Sequence, residues 1–293
     1  MSSMRARLVM LSLCVTASAA AIPRSSFAQQ PAARAAPPAT AGQGKLEILW
    51  LGQAAMRITT VTGKVIVIDP FLTKNPKTPE RYKHLEALGK VDLVLVTHAH
   101  GDHMGDAAEL VKKTGANLWA PAGLSQQLIT LGVLPAAQAN RMSPGGSIQP
   151  FGPGGVKITM VHAEHNSELV WHNPATDKDE THYGGQPCGY IIELESGLKI
   201  YHMGDTGLFG DMKLIGDYYK PDLVLAPIGG GQHVMSPADA AYAVRELLHP
   251  KYVLPFHYGT FAFLPGTPAE FQAALGKAPV QVFAIAPGEK LPL

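Results

Sequence analysis

Apolar positions along this chain fall in short bursts separated by Gly- and Pro-rich turns. Lys45–Gly52 and Ala55–Thr60 predict paired strands, and Lys64–Asp69 (KVIVID), closed by Pro70, predicts a third. Val91–Thr97 (VDLVLVT) is an unbroken β-branched run, the pattern of a strand buried on both faces. A helix over Gly105–Lys113, a short strand near Asn117–Ala120 and a helix near Ala122–Leu131 follow, then a turn-rich stretch at 143–155. The second half has a similar rhythm. A strand over Val156–Val161 precedes a long polar loop at 166–187, and Gly189–Leu194 and Leu198–His202 read as a hairpin joined by Glu195-Ser196-Gly197. Asp222–Pro227 is another buried strand. Ser236-Pro237 opens a helix to about Leu248, with serine as N-cap and proline at the first helical position. A strand over Lys251–Phe256 and a helix over Pro268–Leu275 complete the pattern. Strand clusters alternating with helices, twice over, predict an α/β fold in which two sheets pack together with helices outside.

The first residues break this pattern. Arg5 and Arg7 precede an apolar run from Leu8 to Ile22, and Ser26-Phe27-Ala28 places small residues at −3 and −1 of a signal-peptidase site. Residues 1–28 therefore read as a signal peptide, 29–44 as a flexible Ala/Pro-rich linker and 45–293 as the folded domain. The expected location is the periplasm or the exterior. Cleavage removes Arg5, Arg7, Arg24 and Cys14, so 21 of the 24 basic residues remain against 23 acidic ones and the net charge moves from +1 to −2. That balance excludes a nucleic-acid footprint. Cys188 is then the one thiol left, which excludes an internal disulfide. No later stretch is long and apolar enough to span a membrane, so no stable insertion is expected after cleavage.

Chemistry concentrates in V-T-H-A-H-G-D-H, Val96–His103, where the long apolar strand ends. His98 and His100, two apart, point the same way in an extended segment. Gly101 lets the chain turn, and Asp102 and His103 project beyond it. Three imidazoles and a carboxylate at the carboxyl end of a strand form a ligand set favoured by zinc and similar metals.

The T-H-A-H-G-D-H run resembles the H-x-H-x-D-H signature of the metallo-β-lactamase superfamily. H-A-E-H-N-S, Y-H-M-G-D-T and P-F-H-Y-G-T extend the likeness over almost all of the folded part. LGQAAMRI, IDPF and GDMKLIGDYYKPDLVLAPIGG are similar to one branch, metal-dependent hydrolases related to the bacterial ascorbate-6-phosphate lactonase. The resemblance implies a four-layer αββα sandwich and a two-metal centre of divalent ions, zinc foremost, with manganese or iron(II) as substitutes. His98, His100 and a third histidine match ligands of one ion. Asp102, His103 and His257 match those of the other, and Asp205 matches the carboxylate shared by both. His162 and His165 both follow the strand Val156–Val161. His165 is preferred because the related branch places a histidine directly before a small polar pair, here Asn166-Ser167.

Asp69 at a strand end and His202 before Gly204 are candidates to orient ligand imidazoles. His233 in the GGGQHVMSP loop is a candidate for the substrate cavity, as are, more weakly, Trp171, His172, His182 and Tyr183 of the long loop. Cys188, His84 and His249 carry no chemistry on this reading. The expected reaction is hydrolysis of a small molecule's ester, lactone, amide or phosphodiester bond by a hydroxide bridging two metals, lactonase-like foremost, with Asp102 able to shuttle a proton. A β-lactamase, a di-iron redox protein and a non-catalytic metal-binding module are the competing readings. Di-iron relatives usually place glutamate where His100 stands and carry a flavin domain, and neither feature occurs here.

Overall fold

A computed structural model of the protein describes residues 44–293. The expected signal peptide and all of the linker but Gly44 lie outside the described residues. No helix among the described residues is long and apolar enough to cross a membrane.

The first sheet has six strands in sequence order: β1 (Glu47–Gly52), β2 (Ala55–Thr59), β3 (Val65–Ile68), β4 (Leu93–Leu95), β5 (Asn117–Pro121) and β6 (Ala139–Met142). The second begins with β7 (Ser147–Ile148) and β8 (Lys157–His162). After a separate hairpin, β9 (Glu168–Asn173) and β10 (Lys178–Tyr183), it continues through β11 (Cys188–Glu193), β12 (Lys199–His202), β13 (Leu223–Pro227), β14 (Tyr252–Phe256) and β15 (Gln281–Val282). Its spatial order is β15-β14-β13-β12-β11-β8-β7. In each sheet the antiparallel strands lie at one end and the parallel ones at the other.

Alternation along the strands builds the layers. Ile48, Trp50, Ile66, Ile68 and Leu95 of the first sheet meet Met160, Tyr190, Ile192, Leu225 and Phe256 of the second in a central core. The opposite face of the first sheet, through Leu49, Leu51, Val65, Val67 and Val94, packs on helices α3 (Ala107–Thr114) and α4 (Ala122–Thr130). The opposite face of the second, through Ile191, Tyr201, Val224 and Val253, packs on α5 (Met212–Tyr219), α6 (Pro237–Tyr242) and α7 (Pro268–Leu275). Helix, sheet, sheet and helix form the four-layer αββα sandwich.

Several expectations need correction. The polar stretch 166–187 is not a structureless loop. It contains the β9–β10 hairpin, paired from Glu168↔Tyr183 to Asn173↔Lys178. Only Leu169 and Trp171 turn inward onto the helical layer, so an isolated ribbon with one thin apolar stripe reads as loop. The strand Val91–Thr97 shortens to Leu93–Leu95, because its neighbour β3 ends at Ile68 and the Asp69 side chain takes the Thr97 amide (2.7 Å). The helix expected at Gly105–Lys113 is α3, starting two residues later. Two short helical turns not expected, α1 (Glu80–Lys83) and α2 (Gly101–Met104), precede it, and the break between α2 and α3 falls at Gly105, which has φ +30°. A Cβ there would lie 2.7 Å from the Pro70 carbonyl oxygen, so no side chain fits. The helix from Ser236 starts with the expected cap, reinforced by Asp239, but Ala243–Leu248 relaxes into a π-helical turn. Helix α5 was not legible, and it covers the second sheet with Met212 and Ile215.

Candidate metal centre

The site forms where the carboxyl ends of strands from both sheets meet. Asp69 follows β3 in a left-handed conformation (φ +46°) and is fully buried. Its carboxylate accepts hydrogen bonds from the Thr97 amide (2.7 Å), the Thr97 hydroxyl (2.7 Å) and His103 Nδ1 (2.8 Å). With its proton given to Asp69, the Thr97 hydroxyl is free to accept from His98 Nδ1 (3.1 Å). These partners take the Nδ1 hydrogens, so Nε2 of both His98 and His103 faces the site. Asp69 thus orients His103 directly and His98 through Thr97. His100 is turned the other way: Nε2 donates to Glu168 Oε2 of the hairpin (3.0 Å), leaving Nδ1 facing inward.

The remaining side chains arrive from the second sheet. His165, in the loop after β8, stands with its ring centroid 5.0 Å from that of His98 and 5.1 Å from that of His100. His162, the alternative, points away: it is exposed, near Glu164 and edge-on to Phe209. Asp205 follows β12 after a turn at Gly204 (φ +63°), where a Cβ would lie 2.7 Å from the Cys188 carbonyl oxygen. His202 holds that turn, accepting from the Gly204 amide (3.2 Å) at Nδ1 and donating from Nε2 to the Ala54 carbonyl (2.9 Å). It braces backbone and touches no ligand imidazole, a correction to its expected role. His257 ends β14 at φ +56°.

Two groups result: His98, His100 and His165; and Asp102, His103, Asp205 and His257. Within each, one potential ligand atom per residue lies within 4.8 Å of every other. Asp205 reaches toward both. Oδ1 is 3.0 Å from His257 Nε2 and 3.2 Å from His103 Nε2, while Oδ2 is 3.7 Å from His165 Nε2.

Charge is distributed unevenly. Burial, together with the cation at His103, pushes His98 well below an ordinary histidine, and burial pushes His165 down to about 4. Burial also opposes charge on His103 and His257, but the surrounding carboxylates win. Asp205, Asp102 and Asp69 hold His103 well above the ordinary value, and Asp205 and Asp102 hold His257 at about 9. Burial would raise the two carboxyls, yet His103 and His257 keep Asp205 and Asp102 well below the carboxylate range.

The donor set fits metal. His98 Nε2 and His100 Nδ1 face each other at 3.0 Å, each with its other ring nitrogen beside an oxygen partner, so two lone pairs meet. Asp205 Oδ1 and His257 Nδ1 are buried without a hydrogen-bond partner. Converging imidazole nitrogens and carboxylate oxygens suit a borderline divalent ion.

A cavity of about 510 Å³ opens on both groups, lined by His100, Asp102, His165, Asp205 and His257, with Phe71, Phe261, Phe263, Lys74 and His233 around them. His233 is exposed and lies against Phe263 (5.0 Å). Trp171, His172, His182 and Tyr183 lie on the hairpin and line none of this cavity, and Tyr183 borders a separate one. Cys188 is buried against the Thr97 carbonyl, and burial pushes its thiol up, out of nucleophilic range. Sequence reasoning missed Gln53, Thr97, Glu168 and the three phenylalanines. Thr97 and Phe71 lie inside the T-H-A-H-G-D-H and IDPF stretches, and Gln53 carried a signal as a glutamine in a two-residue hairpin turn that favours glycine, asparagine or aspartate.

The family model described as the beta-lactamase superfamily domain matches residues 64–258, which contain every residue of both groups. The chain belongs to the β-lactamase superfamily. Within it, a UPF0173 metal-dependent hydrolase of Cupriavidus necator is 61% identical over 268 residues, covering 90% of this chain and 92% of that protein. A UPF0173 metal-dependent hydrolase of Rubrobacter xylanophilus is 45% identical over 251 residues, covering 85% and 97%. Among solved structures, Igni18, a metallo hydrolase of the archaeon Ignicoccus hospitalis, is 33% identical with a TM-score of 0.71, covering 84% of this chain and 97% of that one. This superfamily member is therefore one of the metal-dependent hydrolases.

Proposed function

We propose that the protein is a dinuclear hydrolase that cleaves an ester, lactone, amide or phosphodiester bond of a small molecule, a lactone foremost. The observation that carries this reading is Asp205, one carboxylate turned toward both donor groups on the floor of one cavity. His98, His100 and His165 would hold one divalent ion; Asp102, His103 and His257 would hold the other, with Asp205 shared. Zinc is the first choice, and manganese or iron(II) the substitutes. Such ions supply Lewis acidity and a hydroxide at neutral pH.

The chain's own residues do the rest. Asp102 borders the cavity and is held ionised by His103 and His257. Its Oδ2 faces the second donor group beside the Gln53 amide (2.8 Å), which leaves Oδ1 to accept a proton from water. Phe71, Phe261 and Phe263 offer an apolar wall that holds the substrate's body and excludes water. No serine or cysteine lines the cavity, which suits direct attack by water over a covalent relay.

The test is turnover of metal-stripped and reloaded protein on a panel of lactones, phosphodiesters and β-lactams. Lactone hydrolysis that requires two equivalents of metal is expected. Metal-dependent turnover on none of the panel overturns the reading. Asp102→Ala separates a hydrolase from a binding module, since it should abolish turnover and not merely weaken metal binding. Export belongs to the same proposal, supported by Arg5, Arg7, the apolar run and Ser26-Phe27-Ala28. Sequencing of the mature protein should begin at Gln29, and a full-length chain retained in the cytoplasm would refute export.

A further inference from the structure

The β1–β2 turn places Gln53, within the LGQAAMRI stretch, against the second donor group, where the seven ligand positions of the superfamily pattern do not include it. Gln53 is 1% exposed and adopts φ +50°. Glycine or asparagine would take that backbone conformation at lower cost. A buried glutamine held there marks a side chain that the site needs. Its backbone carbonyl accepts from Trp50 Nε1 (3.0 Å) and from the His257 amide (3.2 Å), so the turn and the end of β14 are one rigid unit. Its side-chain amide ends 2.8 Å from Asp102 Oδ2 and 2.7 Å from His257 Nε2, two of the atoms that face the second metal position. The amide oxygen, Oε1, is buried and has no hydrogen-bond partner.

That arrangement is poorly paired in the absence of a cation. The amide nitrogen stands beside the two atoms a metal would use, and Oε1 has no hydrogen-bond partner. Nitrogen and oxygen of an amide exchange places by a half-turn about the last side-chain bond. After that turn the oxygen stands beside Asp102 Oδ2 and His257 Nε2, and all three atoms offer lone pairs to one point.

The geometry points to Gln53 as a further ligand of the second metal position, binding a divalent cation through its amide oxygen. This rests on the two-metal reading above. An amide oxygen beside two carboxylates and two imidazoles raises the oxygen share of that position, which favours ions that accept more than four ligands.

Two substitutions separate an oxygen ligand from a plain hydrogen-bond donor to Asp102. Gln53→Leu keeps the bulk and removes both functions. Gln53→Glu keeps an oxygen donor but turns a carboxylate on Asp102, which a donor role cannot tolerate. Each full-length variant, checked for folding by circular dichroism, is titrated with cobalt(II) and with zinc, reading the Kd of each equivalent by calorimetry and the visible spectrum of the cobalt forms. The expected result is a loss of about tenfold or more in affinity for the ion held by Asp102, His103, Asp205 and His257 in Gln53→Leu. The ion held by His98, His100 and His165 should be unchanged, and in Gln53→Glu the affinity and cobalt spectrum of the Asp102, His103, Asp205 and His257 position should be retained. Equal weakening in both variants, or no change in Gln53→Leu, overturns the ligand assignment. Wild-type protein that binds a single equivalent overturns the two-metal reading itself, an outcome visible before any variant is made.

Discussion

His98, His100 and His165 form a group of imidazoles alone, and His100 and His165 stand open to the cavity; Asp102, His103, Asp205 and His257 combine two carboxylates with two imidazoles, and all but Asp102 are buried. In the first group burial keeps His98 and His165 unprotonated. The second is a dense ionic cluster braced from behind by Asp69 and Gln53. On the two-metal proposal the difference would assign the two positions different work. The preorganised, charge-rich group would hold its ion tightly and keep its geometry. The open group would sit where a substrate oxygen can approach.

The largest break in this comparison comes from the residue common to both groups. Asp205→Asn keeps the shape and removes the charge. Turnover should fall by at least about a hundredfold, beyond the roughly 10–100-fold that loss of an outer hydrogen-bond partner costs a metal site. Metal content should drop from two equivalents to one or fewer. Steady-state kinetics and elemental analysis of the same sample check both. A variant that keeps two ions and its rate would show that Asp205 is not shared.

Acidity should separate the groups next. A protonated imidazole cannot bind metal, and His257 carries its proton up to about pH 9. Below that value an ion entering the second position must displace a proton, so its affinity should rise by about tenfold per pH unit from 6.5 to 8.5. His103, held well above the ordinary value, steepens the slope. His98 and His165 are already neutral in this range, so they add no slope at the first position. Calorimetric titration at three pH values reads the two slopes, and equal slopes would erase the electrostatic distinction.

Bracing should matter less than ligation. Asp69→Asn tolerates the left-handed backbone, since asparagine adopts it readily. It loses the charge and at least one of three accepted hydrogen bonds. The second position should weaken by about 10–100-fold and the fold by about 1–3 kcal/mol, measured by metal titration and by denaturant unfolding.

The same contrast governs what the sequence disclosed. Side chains grouped in one run, His98 to His103, could be read as ligands on their spacing alone, because a strand end followed by a glycine turn fixes where they point. His165, Asp205 and His257 lie at separate strand ends, and only the superfamily pattern singled them out. Both buried strand runs and capped helices were legible, since burial on a whole face leaves a strong period. The hairpin was not, because Leu169 and Trp171 are a weak stripe in a polar ribbon. Gln53 and Glu168 were missed for a related reason. Their roles depend on a contact across 204 residues in one case and 68 in the other, and no local pattern names either partner.

Glu168 is the finest test. It accepts from His100 Nε2 as Asp69 accepts from His103 Nδ1, so both carboxylates orient a ligand imidazole in the same chemical way. They differ in exposure: the Asp69 side chain is 0% accessible and that of Glu168 49%. Water can replace an exposed partner, and exposed charge pairs are worth little. Glu168→Ala should therefore weaken the first position only a few-fold and leave the second unchanged, read by the same titrations. If it costs as much as Asp69→Asn, the hairpin is a structural part of the centre, and the first position is as tightly built as the second.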